Sequence, residues 1–452
     1  MIPNAYLPGG FTIIEQRVIA LFLFAALFWT LEPIPIFATS MLIIIIELLI
    51  MSDSSIIFLR SNSPNYGIEL SFREIMGTLA APVILLFLGG FFLASAATKF
   101  RLDQNISGLL LSRLGKNPKI VLLGLMAMTA FFSMFMSNTA TTAMMLAILF
   151  PVLSVFPAGD KGKTAFVLAI PIAANLGGLG TPIGTPPNAI ALKFINSGPN
   201  PLSFGEWMAF GVPFVLVMIF VSWLVLILFF PIKTKTIDLK IESRFSASPK
   251  AIVVYVTFVV TILLWLLDFV HGMNSYVVAM IPVGVFLSTG IITKEDLKTI
   301  GWDVLWLVAG GLALGLAIEK TGFANHIIGS IPFENYNAYV VFGIAMGIGF
   351  FMANFMSHTA TSNLVLPMLA VLGTSISGIA DIGGSQMLVL GTTFTISLGM
   401  ALPISSPPNA LAHATGEVQT KELAKAGSTI GIVGLVITVI MITLLNMLNL
   451  FS

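Results

Sequence analysis

A short polar motif occurs twice in this chain, each time inside a long apolar stretch. Residues 136–142 read Met-Ser-Asn-Thr-Ala-Thr-Thr, and residues 356–362 read Met-Ser-His-Thr-Ala-Thr-Ser. Two further landmarks repeat in the same order and at nearly the same interval, namely Gly89-Gly90 with Gly310-Gly311, and Pro-Pro-Asn-Ala at 186–189 and again at 407–410. Three landmarks in one order indicate an internal duplication. We expect a ligand at the paired polar motifs.

The apolar character of the chain places this duplication in a membrane protein. Hydrophobic residues make up 57% of the 452 residues and charged residues only 9%, and the mean hydropathy is +1.00. A soluble chain carries about 25% charged residues. We therefore predict an all-α polytopic membrane protein. The net charge of +1 argues against a nucleic-acid partner, and the absence of cysteine excludes disulfides and thiolate sites.

Apolar runs of about 20 residues predict helices that cross the bilayer. Such runs lie at 16–31, 35–51, 80–98, 206–231, 250–268, 273–291, 302–319 and 425–450. The motif-bearing stretches 119–157 and 337–372 are too long for one span. Each is predicted to be a helix followed by a hairpin that enters the membrane and returns, with the hairpins at 129–157 and 351–372.

Two further apolar stretches, 163–198 and 385–416, are interrupted by runs of glycine and proline at 177–187 and 399–408. No helix continues through such a run, because glycine and proline both disfavour it. Broken helices at membrane depth occur only where protein or a watery cavity surrounds the free backbone groups. The two predicted broken helices therefore point to a central site.

Charge placement predicts that the two repeats cross the membrane in opposite directions. The segment 99–119 and the linker 232–250 are rich in lysine and arginine, whereas 320–336 has Lys320 as its one firm cation. Cationic loops favour the cytoplasm. We therefore predict an N-terminal repeat at 1–231, a cytoplasmic linker at 232–250 and an inverted C-terminal repeat at 251–452. Inverted repeats are typical of alternating-access transporters, and a channel or a purely structural bundle is the competing class.

Each Ser-Asn-Thr or Ser-His-Thr tip offers neutral donors beside the first turn of a helix, and such a helix end attracts anions. Two tips from opposite leaflets would hold the two ends of a divalent anion without a costly buried arginine. Alternatively, these side chains only cap helices or join neighbouring helices. The predicted substrate contacts are Ser137, Asn138, Thr139, Ser357, His358 and Thr359 at the tips, and Thr185, Pro186, Ser406 and Pro407 at the interruptions.

The first tip also predicts a sodium site, because a broken helix exposes carbonyl oxygens that suit a small hard cation. The predicted ligands are Ser133, Ser137, Asn138 and Gly184. No cluster of histidine, cysteine and carboxylates indicates a transition metal, and neither a hydrolase triad nor a glycine-rich phosphate loop is present. We therefore expect no enzymatic activity and no cofactor other than Na⁺ as the coupling ion.

With these paired tips, Leu-Gly-Gly helices and Gly-Thr-Pro-Pro-Asn or Ser-Pro-Pro-Asn interruptions, the chain resembles the divalent anion/sodium symporters, a family that includes bacterial dicarboxylate transporters. The resemblance implies a homodimer in the bacterial cytoplasmic (inner) membrane. It also implies scaffold and transport domains, each built from both repeats, that work as an elevator for Na⁺-coupled uptake of a C4-dicarboxylate such as succinate. Sulfate or another divalent oxyanion is an alternative substrate, and sodium-independent dicarboxylate exchange is an alternative mechanism.

The resemblance further implies a second sodium site behind the second tip, but the chain departs from the family there. His358 stands where the family usually has asparagine, and Ala353 stands where members often have threonine. A protonated His358 would replace the lost cation. Alternatively, a neutral His358 donates one hydrogen bond while Asn354 and Ser405 complete a modified sodium site. Glu47, near the end of an apolar run, is expected to reach the surface or to pair, although an intramembrane carboxylate is a functional suspect.

Overall fold

The computed structural model describes residues 10–448 except 62, 112, 114, 158, 198–200, 238–244, 246–247, 325, 327–336 and 381. Parts of the predicted linker 232–250 and of the segment 320–336 therefore lie outside the described residues. Within the described ranges every regular element is a helix, and a single isolated bridge joins Ser52 to Leu70. The predicted all-α class is confirmed.

The described residues of the first half of the chain form ten α-helices. They are α1 (Ile13–Leu31), α2 (Ile36–Ile50), α3 (Phe72–Gly77), α4 (Pro82–Lys99), α5 (Leu102–Leu111), α6 (Pro118–Ser133), α7 (Asn138–Leu153), α8 (Gly162–Gly178), α9 (Pro186–Ile195) and α10 (Phe204–Phe229). Short 3₁₀ turns lie at Ile57–Leu59 and Thr78–Ala80.

The second half of the described chain continues the series in a similar order. It contains α11 (Pro249–Leu266), α12 (Asp268–His271), α13 (Ser275–Val278), α14 (Met280–Ser288), α15 (Lys294–Leu297), α16 (Trp302–Lys320), α17 (Ala338–Phe355), α18 (His358–Ser375), α19 (Ser377–Ala380), α20 (Gly384–Ser397), α21 (Pro407–Ala414) and α22 (Thr420–Met447). A 3₁₀ turn at Pro403–Ser405 precedes α21.

Among the described residues, 7 helices are long and apolar enough to cross a membrane. They are α1, the continuous segment from α3 through α4, α10, α11, α16, α17 and α22. The multi-pass prediction is confirmed. The predicted span 273–291 is longer than the structure allows, because the helical segment starts after the N-cap Asn274 and ends before Gly290, whose φ of 60° does not continue a helix.

Each repeated polar motif lies at the turn of a helical hairpin. Helices α6 and α7 form the first hairpin, and α17 and α18 form the second. The first arm of each is a complete helix that begins at Pro118 or Ala338, well before the predicted starts at 129 and 351. The apolar run gives no signal at those predicted starts, because it passes through them inside one helix that ends at Ser133 or at Phe355.

Both predicted helix interruptions are present. The first helix stops at Gly178 and a new one begins with Pro186 at its first position, while the second stops at Ser397 and restarts with Pro407. Proline is well suited to a first helical position, because its missing N–H would have no partner there. The free carbonyl of Leu179 accepts a hydrogen bond of 3.0 Å from the indole Nε1 of Trp207 on α10, so protein groups satisfy this interruption at membrane depth.

The halves of the two broken helices exchange neighbours between the repeats. Helix α9 of the first repeat packs against α18 and α20 of the second, and α21 of the second repeat packs against α7 and α8 of the first. This reciprocal packing brings both interruptions to one place in the molecule.

The paired glycines allow the close helix contacts that this arrangement requires. A Cβ on Gly89 would overlap the Ala279 backbone, and a Cβ on Gly310 would overlap Ser40. Close approach through small residues is a principal means of helix packing in membranes, where burial from water contributes little.

Candidate functional site: a cavity between two hairpin tips

A cavity of about 330 Å³ lies where the two tips and the two interruptions meet. All of the predicted substrate contacts line it: Ser137, Asn138 and Thr139, Ser357, His358 and Thr359, Thr185 and Pro186, and Ser406 and Pro407. The structure therefore brings together residues that lie up to 270 positions apart in the chain. The volume of the cavity is within the range of about 300–1,000 Å³ that is usual for small-ligand sites.

Both tips have the same backbone arrangement. Ser137 is the N-cap of α7 and Ser357 the N-cap of α18, and each hydroxyl accepts a hydrogen bond of 3.2 Å from the backbone N–H three residues later. The hydroxyl proton is then left to donate elsewhere. The N–H groups that begin a helix have no acceptor within it, so each tip presents several donors.

The interruptions add two more helix N-termini to the cavity wall. Thr185 and Ser406 are the N-cap residues of α9 and α21, and neither side chain caps its own helix. Their hydroxyls are therefore not engaged in capping. Because the first residues of α7, α9, α18 and α21 all line the same cavity, the positive ends of four helix dipoles act on its contents.

Fixed charge is nearly absent from the cavity wall. No lysine or arginine is found among the described lining residues, and Asp303, at the start of α16, is the one carboxylate. Phe37, Phe87 and Phe91 add apolar surface to the cavity wall. Neutral donors at helix N-termini are able to hold an anion without a lysine or arginine.

Behind the first tip the structure assembles a small cage of oxygen atoms. The Ser133 Oγ lies 2.6 Å from Asn138 Oδ1 and 2.8 Å from the Ala174 carbonyl oxygen. A Cβ placed on Gly178 would lie 2.8 Å from Asn138 Oδ1 and 3.1 Å from the Gly184 carbonyl oxygen. These neutral oxygens are the ligand type that a hard cation such as Na⁺ prefers.

Asn188 holds this cage together and was not among the predicted ligands. Its amide nitrogen donates to the carbonyl oxygens of Gly178 and Thr181 at 2.9 and 2.8 Å, and the Thr181 hydroxyl donates to the Met134 carbonyl. The repeated Pro-Pro-Asn sequence was the available signal for this role. Ser137, the fourth predicted ligand, lies at the cavity and caps α7.

The corresponding place behind the second tip is filled differently. Ala353, fully buried, stands at the position of Ser133 and contributes no oxygen. His358 Nε2 lies 2.8 Å from the Gly399 carbonyl oxygen. Because a carbonyl oxygen only accepts hydrogen bonds, this nitrogen carries a proton and donates it. The His358 N–H thus donates to the Gly399 carbonyl oxygen, which corresponds by repeat position to the Gly178 carbonyl oxygen.

The other predicted ligands of the second site have protein partners. Asn354 accepts from the Ala401 N–H at 2.9 Å and donates to the Phe350 carbonyl at 2.8 Å. The Ser405 hydroxyl donates to the Leu402 carbonyl at 2.6 Å and accepts from Asn409 at 3.1 Å. Asn354 and Ser405 therefore bind backbone groups of the second interruption, at Ala401 and Leu402. A sodium site there stays a prediction.

Asn175 is a cavity residue that the sequence analysis missed. Its amide nitrogen lies 3.0 Å from the Ser406 Oγ and 3.2 Å from the Asn409 Oδ1, so it joins α8 of one repeat to the interruption of the other. Ser406 accepts this hydrogen bond and keeps its own proton for the cavity. The signal in the sequence was a single asparagine in an otherwise apolar helix. Burial of such a side chain costs free energy unless it is hydrogen-bonded.

Comparison with known proteins identifies one family. The family model described as "Sodium:sulfate symporter transmembrane region" matches residues 1–451. The sodium-dependent dicarboxylate transporter SdcS of Staphylococcus saprophyticus is 30% identical over 92% of this chain and 83% of its own length. The inorganic phosphate transporter PHO87 of Saccharomyces cerevisiae is 29% identical over 88% of this chain, which spans 43% of that longer protein.

Among solved structures, the YdaH transporter of Alcanivorax borkumensis has a similar fold. The TM-score is 0.52 over 96% of this chain and 99% of that chain, at 12% sequence identity. At this identity the likeness concerns the fold alone.

Proposed function

Because the chain belongs to the sodium:sulfate symporter family, we propose that it is a secondary active transporter that couples the uptake of a C4-dicarboxylate such as succinate to Na⁺. The family membership supports transport of an anion with sodium, and the dicarboxylate relative supports the substrate class. We place the protein in a bacterial cytoplasmic membrane, as a homodimer in which the tips move as an elevator.

The observation that carries this proposal is the neutral, four-helix anion site between the tips. A dianion would be held by the hydroxyls and N–H groups of Ser137 and Thr139 at one end and of Ser357 and Thr359 at the other. Two opposed sets of donors suit a molecule with two separated carboxylates. The aromatic wall would contact the carbon chain between them.

Sodium enters the proposal through the first oxygen cage. A cation held by Ser133, Asn138 and Gly184 would lie directly behind donors that face the substrate. Its positive charge would compensate part of the substrate's charge in a site without lysine or arginine. Binding of each would then favour binding of the other, which is the reciprocal coupling that a symporter needs.

Two alternatives have specific observations in their favour. The phosphate transporter relative favours a tetrahedral oxyanion such as sulfate, because such an anion also uses neutral donors. The His358 N–H at the second cage favours sodium-independent exchange, since a protein donor stands where a cation would be needed. A channel or a structural protein finds no support in the assembled cavity.

The test is uptake of radiolabelled succinate into proteoliposomes with and without an inward Na⁺ gradient. Accumulation driven by the gradient and inhibited by unlabelled succinate supports the proposal. Inhibition by sulfate or phosphate but not by succinate would change the substrate class. Uptake that needs internal dicarboxylate and ignores the gradient would make the protein an exchanger, and flux without saturation would contradict carrier transport.

A further inference from the structure

Glu47 is a buried acid that the proposed transport site does not use. It lies in the second half of α2, its side chain is 0% exposed, and neither carboxylate oxygen accepts a hydrogen bond from a described residue. Of the two expectations, that it reaches the surface or that it pairs, the first is therefore wrong, and no described residue forms a hydrogen bond with its carboxylate. A carboxyl group in such surroundings is stable only when it carries a proton or lies against a cation.

Lys193 on α9 is a cation that acts electrostatically on the Glu47 carboxyl group. Its ammonium donates to the Leu312 carbonyl oxygen of α16 at 3.2 Å and lies 5.3 Å from the centroid of the Phe194 ring. It interacts electrostatically with Glu319 and Glu47, but it makes no hydrogen bond to the Glu47 carboxylate in this conformation. The ammonium therefore acts on the acid without a hydrogen bond to it.

Other charged groups around α2 do not take the place of Lys193. Helices α1, α3 and α16 pack against α2. Their charged residues are Glu15, Arg17, Arg73, Glu74, Asp303, Glu319 and Lys320. Only Lys193 acts appreciably on the charge of Glu47. The charge state of Glu47 is thus tied to the position of α9.

The boundary between α9 and the pair α2–α16 is one that transport would move. Helix α9 begins at the cavity residue Pro186 and packs against α16, and the first residues of α2 and α16 line the same cavity. In the proposed cycle the tips and the broken helices move against α2 and α16. Lys193 then moves along α2, and its distance from Glu47 changes.

A proton fits this site better than a metal ion. The described residues contain no group of three histidine, cysteine or carboxylate side chains that would hold a metal. The neighbouring ammonium of Lys193 would also repel a second cation in a region of low dielectric constant.

We propose that Glu47 is a proton-binding site, loaded in the conformation described here and emptied when α9 brings Lys193 against it. The carboxylic acid releases its proton to water, and the resulting carboxylate pairs with the ammonium group, which keeps its own charge. This inference rests on the proposed transport function, because it requires α9 to move. It adds a proton-linked step that lies apart from the substrate and sodium sites.

The direct test is infrared difference spectroscopy of the purified protein in lipid at about pH 7, a measurement that needs no substrate. The carbonyl stretch of a buried carboxylic acid is expected in the wild-type spectrum and lost in Glu47→Gln. Glu319→Gln removes an exposed acid from the same boundary and is expected to leave that band unchanged. Identical spectra for the wild type and Glu47→Gln would overturn the proposal.

The coupling is tested by succinate uptake at saturating substrate at about pH 5 and about pH 8, where the wild-type rates should differ at least about threefold. Both Glu47→Gln and Lys193→Met are expected to remove this difference without changing the apparent substrate affinity, while Lys193→Met keeps the infrared band. A pH profile that survives in Glu47→Gln would overturn the coupling. If the infrared band is lost in Glu47→Gln but neither the wild type nor the variants accumulate succinate, the proposed transport function is wrong and the proton site at Glu47 is retained.

Discussion

The two hairpin tips share a backbone design but differ in what lies behind them. Behind the first tip lies an oxygen cage, which consists of the Ser133 hydroxyl, the Asn138 side-chain oxygen and the carbonyls of Gly178 and Gly184. At the second, Ala353 removes an oxygen and the His358 N–H donates to the Gly399 carbonyl. The serine caps are thus alike in the two copies of the motif, whereas the groups behind them differ. We therefore expect the tips to act alike toward substrate and differently toward sodium.

The largest expected effect comes from removing the cage oxygen at the first tip. Asn138→Ala should weaken the apparent Na⁺ affinity about 100-fold, since leaving a buried cation short of a ligand costs about 3 kcal/mol. The matched variant His358→Ala removes no cation ligand and should change the apparent Na⁺ affinity less than about threefold. Sodium titration of succinate uptake measures both. Equal losses in the two variants would remove the distinction between the tips.

Rebuilding the second cage should sharpen the comparison. The double variant Ala353→Ser with His358→Asn restores both oxygen-bearing side chains found at the first tip. The Hill slope of uptake against sodium is expected to rise from about 1 to about 2, because a second coupled cation site would then be present. Ala353→Ser alone should leave the slope unchanged while the histidine stays. A slope of about 2 already in the wild type would contradict the account.

The serine caps should show the similarity of the tips. Ser137→Ala and Ser357→Ala should each weaken the apparent substrate affinity about tenfold, because each removes a cap and a cavity donor. Ser197→Ala, at an exposed serine near the end of α9, serves as the control. Concentration dependence of uptake at saturating sodium measures the effect. Loss at one tip only would mean that a single tip binds the substrate.

The smallest effect is expected at the acid that only one repeat has. Asp303 lines the cavity at the start of α16, while Pro82 occupies the corresponding position at the start of α4. Asp303→Asn should improve the apparent affinity for a dianion two- to threefold at low ionic strength, and about 0.15 M salt should reduce the gain, because the repulsion is screened. Asp303→Glu keeps the charge and should behave as the wild type. No salt-dependent change would exclude Asp303 from charge selection.

The sequence predicted the cavity residues well because the repeated motif marks them directly. Serine at a helix N-cap and proline at a first helical position carry local signals, so the tips and interruptions could be placed before the structure was known. Their convergence also followed from the rule that free backbone groups avoid lipid. His358 and Ala353 could be recognised as departures because the family that the chain resembles usually has asparagine at the first position and often threonine at the second.

Other parts of the site depend on tertiary packing and gave no such signal. Phe37, Phe87 and Asp303 reach the cavity only because α2, α4 and α16 cross it, and one apolar helix looks like another in sequence. Asn175 joins the repeats through partners more than 200 residues away. Glu47 was expected to reach the surface or to pair, yet it is buried, and its burial depends on the neighbours of α2.

The central claim is that this protein binds sodium behind one tip and uses a histidine donor behind the other. Equilibrium binding of radioactive sodium to the purified protein, in the presence of saturating succinate, tests it most directly. We expect about one sodium ion per chain in the wild type and in His358→Ala, and none at the same concentrations in Asn138→Ala. About two ions per chain in the wild type, with one lost in His358→Ala, would contradict the account.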